Sequence, residues 1–163
     1  SIKDDYLCLD IGCGGGNTVK TIAEKAINGK TFGLDHSPEM VNLSKKLNNA
    51  AIEKGLVDIK HGSVSTLPYL DKQFDLITAF ETIQFWPDLD KNLLEVRRVL
   101  KSNGTFVIVN RYPPINSKWS DFLQIKSDAD YEERLALSGF KSVSIDKDSK
   151  KGWIRIIAKD VSN

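Results

Sequence analysis

The sequence predicts a single α/β domain with a mostly parallel sheet and helices on both faces of that sheet. Short apolar runs alternate with segments of helical periodicity along most of the chain, which is typical of repeated β-α-β units. A glycine-rich stretch follows the first apolar run, as in a turn from a strand into a helix. At 163 residues, with 40% hydrophobic and 28% charged residues, the chain has the size and composition of one globular domain.

The first strand and helix are predicted at the start of the chain. Residues 6–11 form an apolar run closed by glycines, which indicates a buried strand. Asn17 or Thr18 can cap the helix that follows, and Asn28-Gly29 supplies its end. The apolar positions that recur at helical spacing in this helix are Val19, Ile22, Ala23, Ala26 and Ile27.

The next three elements are a strand, a helix and a strand. Residues 31–35 read as the second strand, and Ser37-Pro38 begins a helix with a capping serine before a proline at the first helical position. This helix reaches residue 51 or 54 and ends at Gly55. Residues 57–61 read as the third strand, although Asp58 and Lys60 interrupt its apolar pattern. The face that we expect to be buried on the helix carries Met40, Ser44, Leu47 and Ala51.

Four more strands and two more helices complete the predicted fold. Residues 74–80 are the fourth strand, Asp88 caps a helix that ends at Asn103-Gly104, and residues 105–110 are the fifth strand. The apolar face of that helix is Leu89, Leu93, Val96 and Leu100. A helix over residues 130–138 precedes strands at 141–146 and 153–158, which the turn at 148–152 joins into an antiparallel hairpin.

The loop after the first strand, Asp10 to Gly16 (DIGCGGG), carries the strongest functional signal. Four glycines in five residues exceed what a tight turn needs, and they let the backbone approach a ligand closely. Their spacing departs from the dinucleotide fingerprint, since the sixth position counted from Gly12 is Asn17. Asp10 would repel a pyrophosphate, whereas a carboxylate suits a ligand that carries an ammonium and a sulfonium group. The loop therefore favours a cationic amino-acid ligand.

LDIGCGGG resembles motif I of the class I S-adenosylmethionine-dependent methyltransferases, and FGLDHSPEMV resembles their next motif. Later landmarks of the small-molecule branch, of the type 11-like kind, follow in order: GSVSTLP, FDLITAFETIQFWPDL, LEVRRVLKSNGTFVIVN and LALSGFKSV. The resemblance implies a Rossmann-like, mostly parallel seven-stranded sheet with a C-terminal antiparallel hairpin. It also implies in-line methyl transfer from S-adenosylmethionine to a small-molecule acceptor, with S-adenosylhomocysteine as the product.

The candidate cofactor-binding residues follow from these motifs. Asp35 ends the second strand, where a carboxylate can accept both hydroxyls of a ribose. His36 is similar in position to the residue that packs on adenine in the family, and a solvent-exposed histidine without function is the other open interpretation. Ser63 stands where the family usually has an Asp that accepts from the adenine amino group, and Val64 where it has Ala. The full set is Asp10, Gly12, Cys13, Gly14, Asp35, His36, Met40, Ser63, Val64, Phe80 and Glu81.

No catalytic side chain is assigned from the sequence, because methyl transfer asks chiefly for alignment. Glu81 lies at the edge of the expected transfer site, where contact with substrate or cofactor and general-base catalysis both remain open. Gln84 stands where many relatives carry a His. With two histidines and no carboxylate pair at ligand spacing, we expect no metal site.

Composition limits the partners. Lys plus Arg total 23 against 22 Asp plus Glu, which argues against nucleic acid. The sequence has no apolar run of about 18 residues and no leader pattern, so we expect a cytoplasmic protein without membrane insertion, a monomer or weak homodimer. Two alternatives to a methyltransferase stay open: a non-catalytic S-adenosylmethionine-binding or interaction protein, and, less favoured by the glycine spacing, a nicotinamide dehydrogenase.

The whole chain, residues 1–163, is expected to be one methyltransferase core domain. It starts with Ser1 rather than Met and reaches a predicted core strand almost at once, so we expect an N-terminal segment to be trimmed or not included. Members of the family usually place a helical segment there that closes over the substrate. Without this lid segment, Trp119, Phe122 and the stretch Tyr112 to Lys126 are left to shape the acceptor pocket, and a role as core under a loop is the other open interpretation.

Overall fold

The computed structural model describes residues 1–111 and 124–160, which form a seven-stranded sheet with the order β3-β2-β1-β4-β5-β7-β6. The first five strands along the chain are parallel to one another, and β7 is antiparallel to both β5 and β6. The predicted sheet and its terminal hairpin are therefore confirmed. The strands are β1 Leu7–Ile11, β2 Lys30–Asp35, β3 Val57–His61, β4 Phe74–Phe80, β5 Leu100–Arg111, β6 Ser142–Asp148 and β7 Trp153–Lys159.

Helices cover both faces of the sheet, as predicted. The consecutive residues Cys8 and Leu9 of β1 belong to different buried clusters, and side chains alternate between the two faces of a strand. The Cys8 cluster includes Ile22 of α1, whereas the Leu9 cluster includes Leu93 of α4 and Leu135 of α5. The helices are α1 Asn17–Ala23, α2 Pro38–Leu47, α3 Asn49–Glu53, α4 Leu89–Val99 and α5 Asp128–Leu137.

Two predicted helix caps are confirmed. The Ser37 hydroxyl accepts a hydrogen bond from the Met40 N–H at 3.3 Å, with Pro38 in the first turn. Asp88 accepts from the Lys91 N–H at 3.2 Å at the start of α4. Each cap satisfies a backbone donor that the first helical turn leaves without an intrahelical partner.

The prediction that the first helix reaches Asn28-Gly29 was wrong, because α1 ends at Ala23. The residues after it are held by the N-terminal segment instead: the Asn28 N–H donates to the Asp4 carbonyl at 2.7 Å. Ile27 is accordingly 57% exposed. The N-cap was also wrong, since Gly16 takes that position with a φ of 86°.

The second predicted helix is divided at Asn48 into α2 and α3. The Asn48 amide donates to the carbonyls of Gly16 at 3.1 Å and Ser44 at 2.9 Å, and these bonds hold the residue at the break. Asn48 and Ser44 are buried, whereas Leu47, which was predicted on the buried face, is 42% exposed. Two polar side chains, Ser44 of α2 and Asn48 just after it, therefore lie on the inward side.

Other boundaries also differ from the prediction. Helix α4 ends at Val99, and β5 begins at Leu100 rather than at residue 105, because Leu100 already pairs with Phe74 across a register shift in the β4–β5 ladder. Helix α5 begins at Asp128 instead of 130 because Ser127 and Asp130 form a capping box there.

Candidate functional site

The candidate site lies at the carboxyl ends of β1, β2, β3 and β4. The strand order reverses between β1 and β4, which pair directly with each other although β2 and β3 lie between them in sequence. Open sheets of this kind bind ligands in the crevice at such a switch point. The glycine loop follows β1, Asp35 ends β2 and Phe80 ends β4, so the predicted site residues meet at this edge.

The glycine loop is fixed by the end of β2. The N–H groups of Gly12 and Cys13 both donate to the Leu34 carbonyl, at 2.8 and 3.0 Å. Gly12 has a φ of 73°, and a Cβ atom there would overlap the Thr82 hydroxyl, so this position requires glycine. A Cβ on Gly14 or Gly15 would instead meet no atom within 4 Å. The loop is therefore tightly packed at Gly12 and open at Gly14 and Gly15.

Side chains near the C-terminal end of α2 contact the loop. The Asn48 amide bonds to the Gly16 carbonyl, and the Ser44 hydroxyl lies 3.9 Å from the Cys13 sulfur. Cys13 is buried against Val19, and burial raises the pKa of its thiol to about 12. Its side chain thus points into the core, so only its backbone can face a ligand. Sequence reasoning missed the role of Asn48. The signal that could have indicated it is a second polar residue four positions after Ser44, on the same side of the predicted helix.

Asp35 connects the loop to β2. Its Oδ2 accepts from the Gly14 N–H at 2.8 Å and its Oδ1 from the Ser37 N–H at 2.9 Å. The residue is 6% exposed. A carboxylate offers about four acceptor positions, so these two bonds leave capacity for further hydroxyl donors.

His36 and His61 lie beside this carboxylate. The His36 side chain is 85% exposed, with its Nδ1 at 3.6 Å from the Asp35 Oδ1. The Nε2 atom of His61 lies 2.9 Å from the His36 carbonyl, although no role was predicted for His61. His36 is thus free to pack against a ligand, while its backbone is held.

Asp10 lies on β1 beneath the glycine loop and is 1% exposed. Its Oδ1 accepts a hydrogen bond of 2.6 Å from the Thr78 hydroxyl on β4. Burial raises its pKa to about 7; the Thr78 hydrogen bond opposes this rise and the nearby Asp35 charge adds to it. A cationic ligand at this place would favour the ionised form.

Ser63 and Val64 follow β3, next to the end of β2. The Gly62 N–H donates to the Asp35 carbonyl at 3.0 Å, which ties this segment to Asp35. Ser63 is exposed and its hydroxyl accepts from the Ser65 N–H at 3.1 Å, whereas Val64 is buried in the core. Met40, in the first turn of α2, is partly buried.

Phe80 and Glu81 lie at the end of β4 on the other side of the switch point. Phe80 is 44% exposed and its ring centroid lies 6.1 Å from that of Trp153 on β7. Glu81 has a φ of 51° and its Oε1 lies 3.5 Å from the Arg111 Nε. The Arg111 guanidinium in turn lies 4.9 Å from the Trp153 ring centroid. Sequence reasoning missed Arg111 and Trp153, which only the β5–β7 pairing brings next to Phe80.

Several other candidates are settled by position. The Gln84 amide donates to the Glu81 carbonyl at 3.0 Å, within its own turn. Trp119 and Phe122 lie outside the described residues. In residues 1–111 and 124–160, no group of His, Cys, Asp or Glu side chains could hold a metal ion. Over the same part of the chain, no helix has the length and apolar character needed to cross a bilayer.

Comparison with known proteins identifies the family. The profile of a methyltransferase domain matches residues 9–108. The chain is 32% identical over 123 residues to the uncharacterized methyltransferase YcgJ of Bacillus subtilis, covering 74% of this chain and 47% of that protein. It is also 32% identical over 117 residues to a demethylmenaquinone methyltransferase of Lactobacillus johnsonii, covering 71% of this chain and 48% of that protein.

The fold has close counterparts among solved structures. A SAM-dependent methyltransferase from Aquifex aeolicus superposes with a TM-score of 0.83 at 21% identity, covering 99% of this chain and 85% of that one. The chain spans about half the length of the two curated relatives. On the matched domain and these identities, the chain belongs to the class I S-adenosylmethionine-dependent methyltransferase family, as its motifs predict.

Proposed function

We propose that the protein binds S-adenosylmethionine and transfers its methyl group to a small-molecule acceptor. The observation that carries this proposal is the Asp35–Gly14 hydrogen bond of 2.8 Å, which joins a ribose-binding carboxylate to the open part of the glycine loop. The open space at Gly14 and Gly15 and the buried carboxylate of Asp10 fit a ligand with an amino-acid end and a positive charge.

Each of the described residues has a distinct part in this proposal. Asp35 would accept the ribose hydroxyls, Ser63 and His36 would contact adenine, and the Gly14–Gly15 backbone would face the amino-acid end. When bound, the cofactor supplies an electrophilic methyl group on a sulfonium sulfur. An electron pair of an acceptor oxygen, nitrogen or carbon would take this methyl group in line, S-adenosylhomocysteine would leave, and the acceptor proton would pass to solvent.

The acceptor would lie on the β4–β5 side of the switch point. Phe80 and Trp153 present apolar ring surface there, and the Arg111–Glu81 pair borders it. Rings of this kind stack against flat apolar molecules, and the protein adds orientation rather than acid–base chemistry. The name of the Lactobacillus johnsonii relative, a demethylmenaquinone methyltransferase, agrees with an apolar cyclic acceptor.

The alternative of a non-catalytic cofactor-binding or interaction protein rests on two residues. Ser63 replaces a carboxylate that would bind adenine more strongly, and the Gln84 amide is directed to its own turn instead of the transfer site. Incubation with methyl-labelled S-adenosylmethionine and a cell extract separates the two functions: label in a small molecule supports the enzyme, and binding without transfer supports the alternative.

A melting experiment tests the cofactor assignment directly. S-adenosylmethionine and S-adenosylhomocysteine should raise the melting temperature, since a ligand that binds only the folded state stabilises it, while nicotinamide dinucleotides should not. Equal shifts from both ligand classes, or no shift from either, would refute the assignment.

A further inference from the structure

The segment that carries Ser63 and Val64 runs from β3 to β4 without forming a helix or strand of its own. Its first part is a turn in which the Thr66 N–H donates to the Ser63 carbonyl at 3.3 Å. The turn is attached to β2 at one end, through the Gly62 N–H and the Asp35 carbonyl. What holds its other end is a pair of charged side chains on α4.

Glu95 and Arg98 form that pair and together bind the backbone of Leu67. The Arg98 Nε and Nη2 donate to the two Glu95 carboxylate oxygens at 2.8 and 2.9 Å. The Leu67 N–H donates to the Glu95 Oε2 at 2.9 Å, and the Arg98 Nη2 donates to the Leu67 carbonyl at 3.0 Å. Both backbone groups of one loop residue are thus satisfied by one ion pair.

Arg98 extends the attachment further along the segment. Its Nη1 donates to the Tyr69 carbonyl at 3.0 Å and to the Asp71 Oδ1 at 2.7 Å. The Arg98 carbonyl accepts from the Lys72 N–H at 2.9 Å. Arginine suits this task because its guanidinium presents several donors in a fixed planar arrangement.

We infer that Glu95 and Arg98 are positioning residues for the adenine end of the cofactor site, an inference that rests on the function proposed above. Among the described residues they form no hydrogen bond with Ser63 or Val64, but they bind the backbone of Leu67, the residue that follows the turn. A loop held in its binding conformation before the ligand arrives has less conformational freedom to lose on binding. Loss of the pair should therefore weaken the binding of ligands that contain adenine.

Arg97 provides a matched control on the same helix. It is also an anchoring arginine, since it pairs with Asp160 and its Nε donates to the Gly139 carbonyl at 3.5 Å. In the described part of the chain, none of its hydrogen bonds or ion pairs reaches residues 62–73. A general loss of stability on removal of an arginine should appear whether Arg97 or Arg98 is replaced. A loss of adenine positioning should appear only when Arg98 is replaced.

The experiment compares Arg98→Met with Arg97→Met by calorimetric titration with S-adenosylhomocysteine, well below both melting temperatures. We expect the Kd of Arg98→Met to rise roughly tenfold, equivalent to about 1.4 kcal/mol, and that of Arg97→Met to stay within about twofold. S-ribosylhomocysteine, which lacks adenine, should compete equally well for the wild type and Arg98→Met. Arg98→Lys should recover part of the affinity.

Each outcome decides one question. Equal changes of Kd in the two arginine variants, or an equal loss with S-ribosylhomocysteine, overturn the inference alone. A wild type that binds no S-adenosylhomocysteine overturns the proposed function, and the inference with it. If Arg98→Met does not fold, Glu95→Gln replaces it, because this variant keeps an oxygen for the Leu67 N–H but weakens the bond to Arg98. A several-fold higher Kd for S-adenosylhomocysteine is then expected. An unchanged Kd contradicts the inference.

Discussion

At the residue scale, the Asp35 carboxylate holds the local backbone in place and is also the group proposed to bind the ribose. It binds the Gly14 N–H of the glycine loop and the Ser37 N–H at the start of α2, and it has acceptor capacity left for a ribose. Its position at the end of β2 was predictable from the spacing after the glycine loop. The bond to Gly14 was not, because it depends on how β1 and β2 meet in the sheet.

Replacement of Asp35 by Ala should weaken cofactor binding by roughly 1 to 3 kcal/mol, because a charged acceptor is lost in a buried place. The chain should still fold, and titration with S-adenosylhomocysteine measures the change. Asp35→Asn is the control, since it keeps one acceptor oxygen and should lose less. An unchanged affinity in Asp35→Ala would reduce this residue to a structural end of the strand.

Ser63 is the second residue whose substitution is informative. Ser63→Asp should tighten the binding of S-adenosylhomocysteine by about 1 kcal/mol after desolvation, because a carboxylate accepts from the adenine amino group more strongly than a hydroxyl. The site tolerates the change, since Ser63 is exposed and an Asp can also accept from the Ser65 N–H.

Ser65→Asp is the control for Ser63→Asp, because it adds the same charge to an exposed residue two positions along the chain for which no cofactor contact is predicted. It should leave the Kd almost unchanged. Weaker binding by Ser63→Asp would mean that this side chain does not face adenine, and that the alignment of the segment after β3 with the family is out of register.

At the scale of elements, the structure differs from the sequence prediction where an element boundary depends on distant contacts. The starts of α2 and α4 were predicted correctly, since Ser37 and Asp88 cap them through bonds within one helical turn. The end of α1 was not, because the N-terminal segment holds the following residues, and neither was the break at Asn48, whose amide reaches back to the glycine loop.

The turn after β4 contains a strained residue at the candidate site. Glu81 has a φ of 51°, a left-handed conformation that disfavours residues with a Cβ. The turn brings Thr82 against Gly12. Lys72, with a φ of 52°, has the same strain in the exposed turn before β4 and offers a comparison.

Glu81→Gly and Lys72→Gly should each raise the free energy of unfolding by roughly 0.5 to 1 kcal/mol, because relief of the left-handed strain outweighs the entropy lost by glycine. Only Glu81→Gly should weaken S-adenosylhomocysteine binding, by a few-fold, because the turn no longer fixes Thr82 over Gly12. Urea denaturation and titration measure the two effects. Identical binding by both variants would show that the strain has no part in the site.

At the scale of the whole molecule, the sheet topology explains why the site could be predicted only in part. The motifs that contain β1, β2 and β4 can be located from the sequence alone. Because these strands are parallel, their carboxyl ends meet at one edge of the sheet. Trp153 and Arg111 reach the candidate site by a different route, since antiparallel pairing of β5 with β7 places them opposite each other. No local pattern near Trp153 indicates that neighbour.

The same topology buries Asp10 between β1 and β4 and couples its ionisation to folding. Its folded pKa of about 7 lies above the ordinary Asp value near 3.9. Between these values the folded chain binds more protons than the unfolded chain, so the free energy of unfolding falls as the pH rises. The stabilisation is complete below about pH 4 and is lost as the pH passes 7.

Asp10→Asn should remove this loss, because the amide stays neutral and its oxygen can still accept from the Thr78 hydroxyl. We expect the cofactor-free variant to match the wild type at pH 4 within about 1 kcal/mol and to be more stable at pH 8, by an amount on the order of a few kcal/mol. Urea denaturation at both pH values measures the difference. Thr78→Val should have the opposite effect, because the ionised Asp10 carboxylate loses the hydroxyl that donates to it. In this variant the free energy of unfolding should fall more between pH 5 and 8 than it does in the wild type. Parallel stability profiles for the wild type and Asp10→Asn would show that Asp10 is already ionised in the folded chain, with a charge that the β1–β4 contact accommodates without a cofactor.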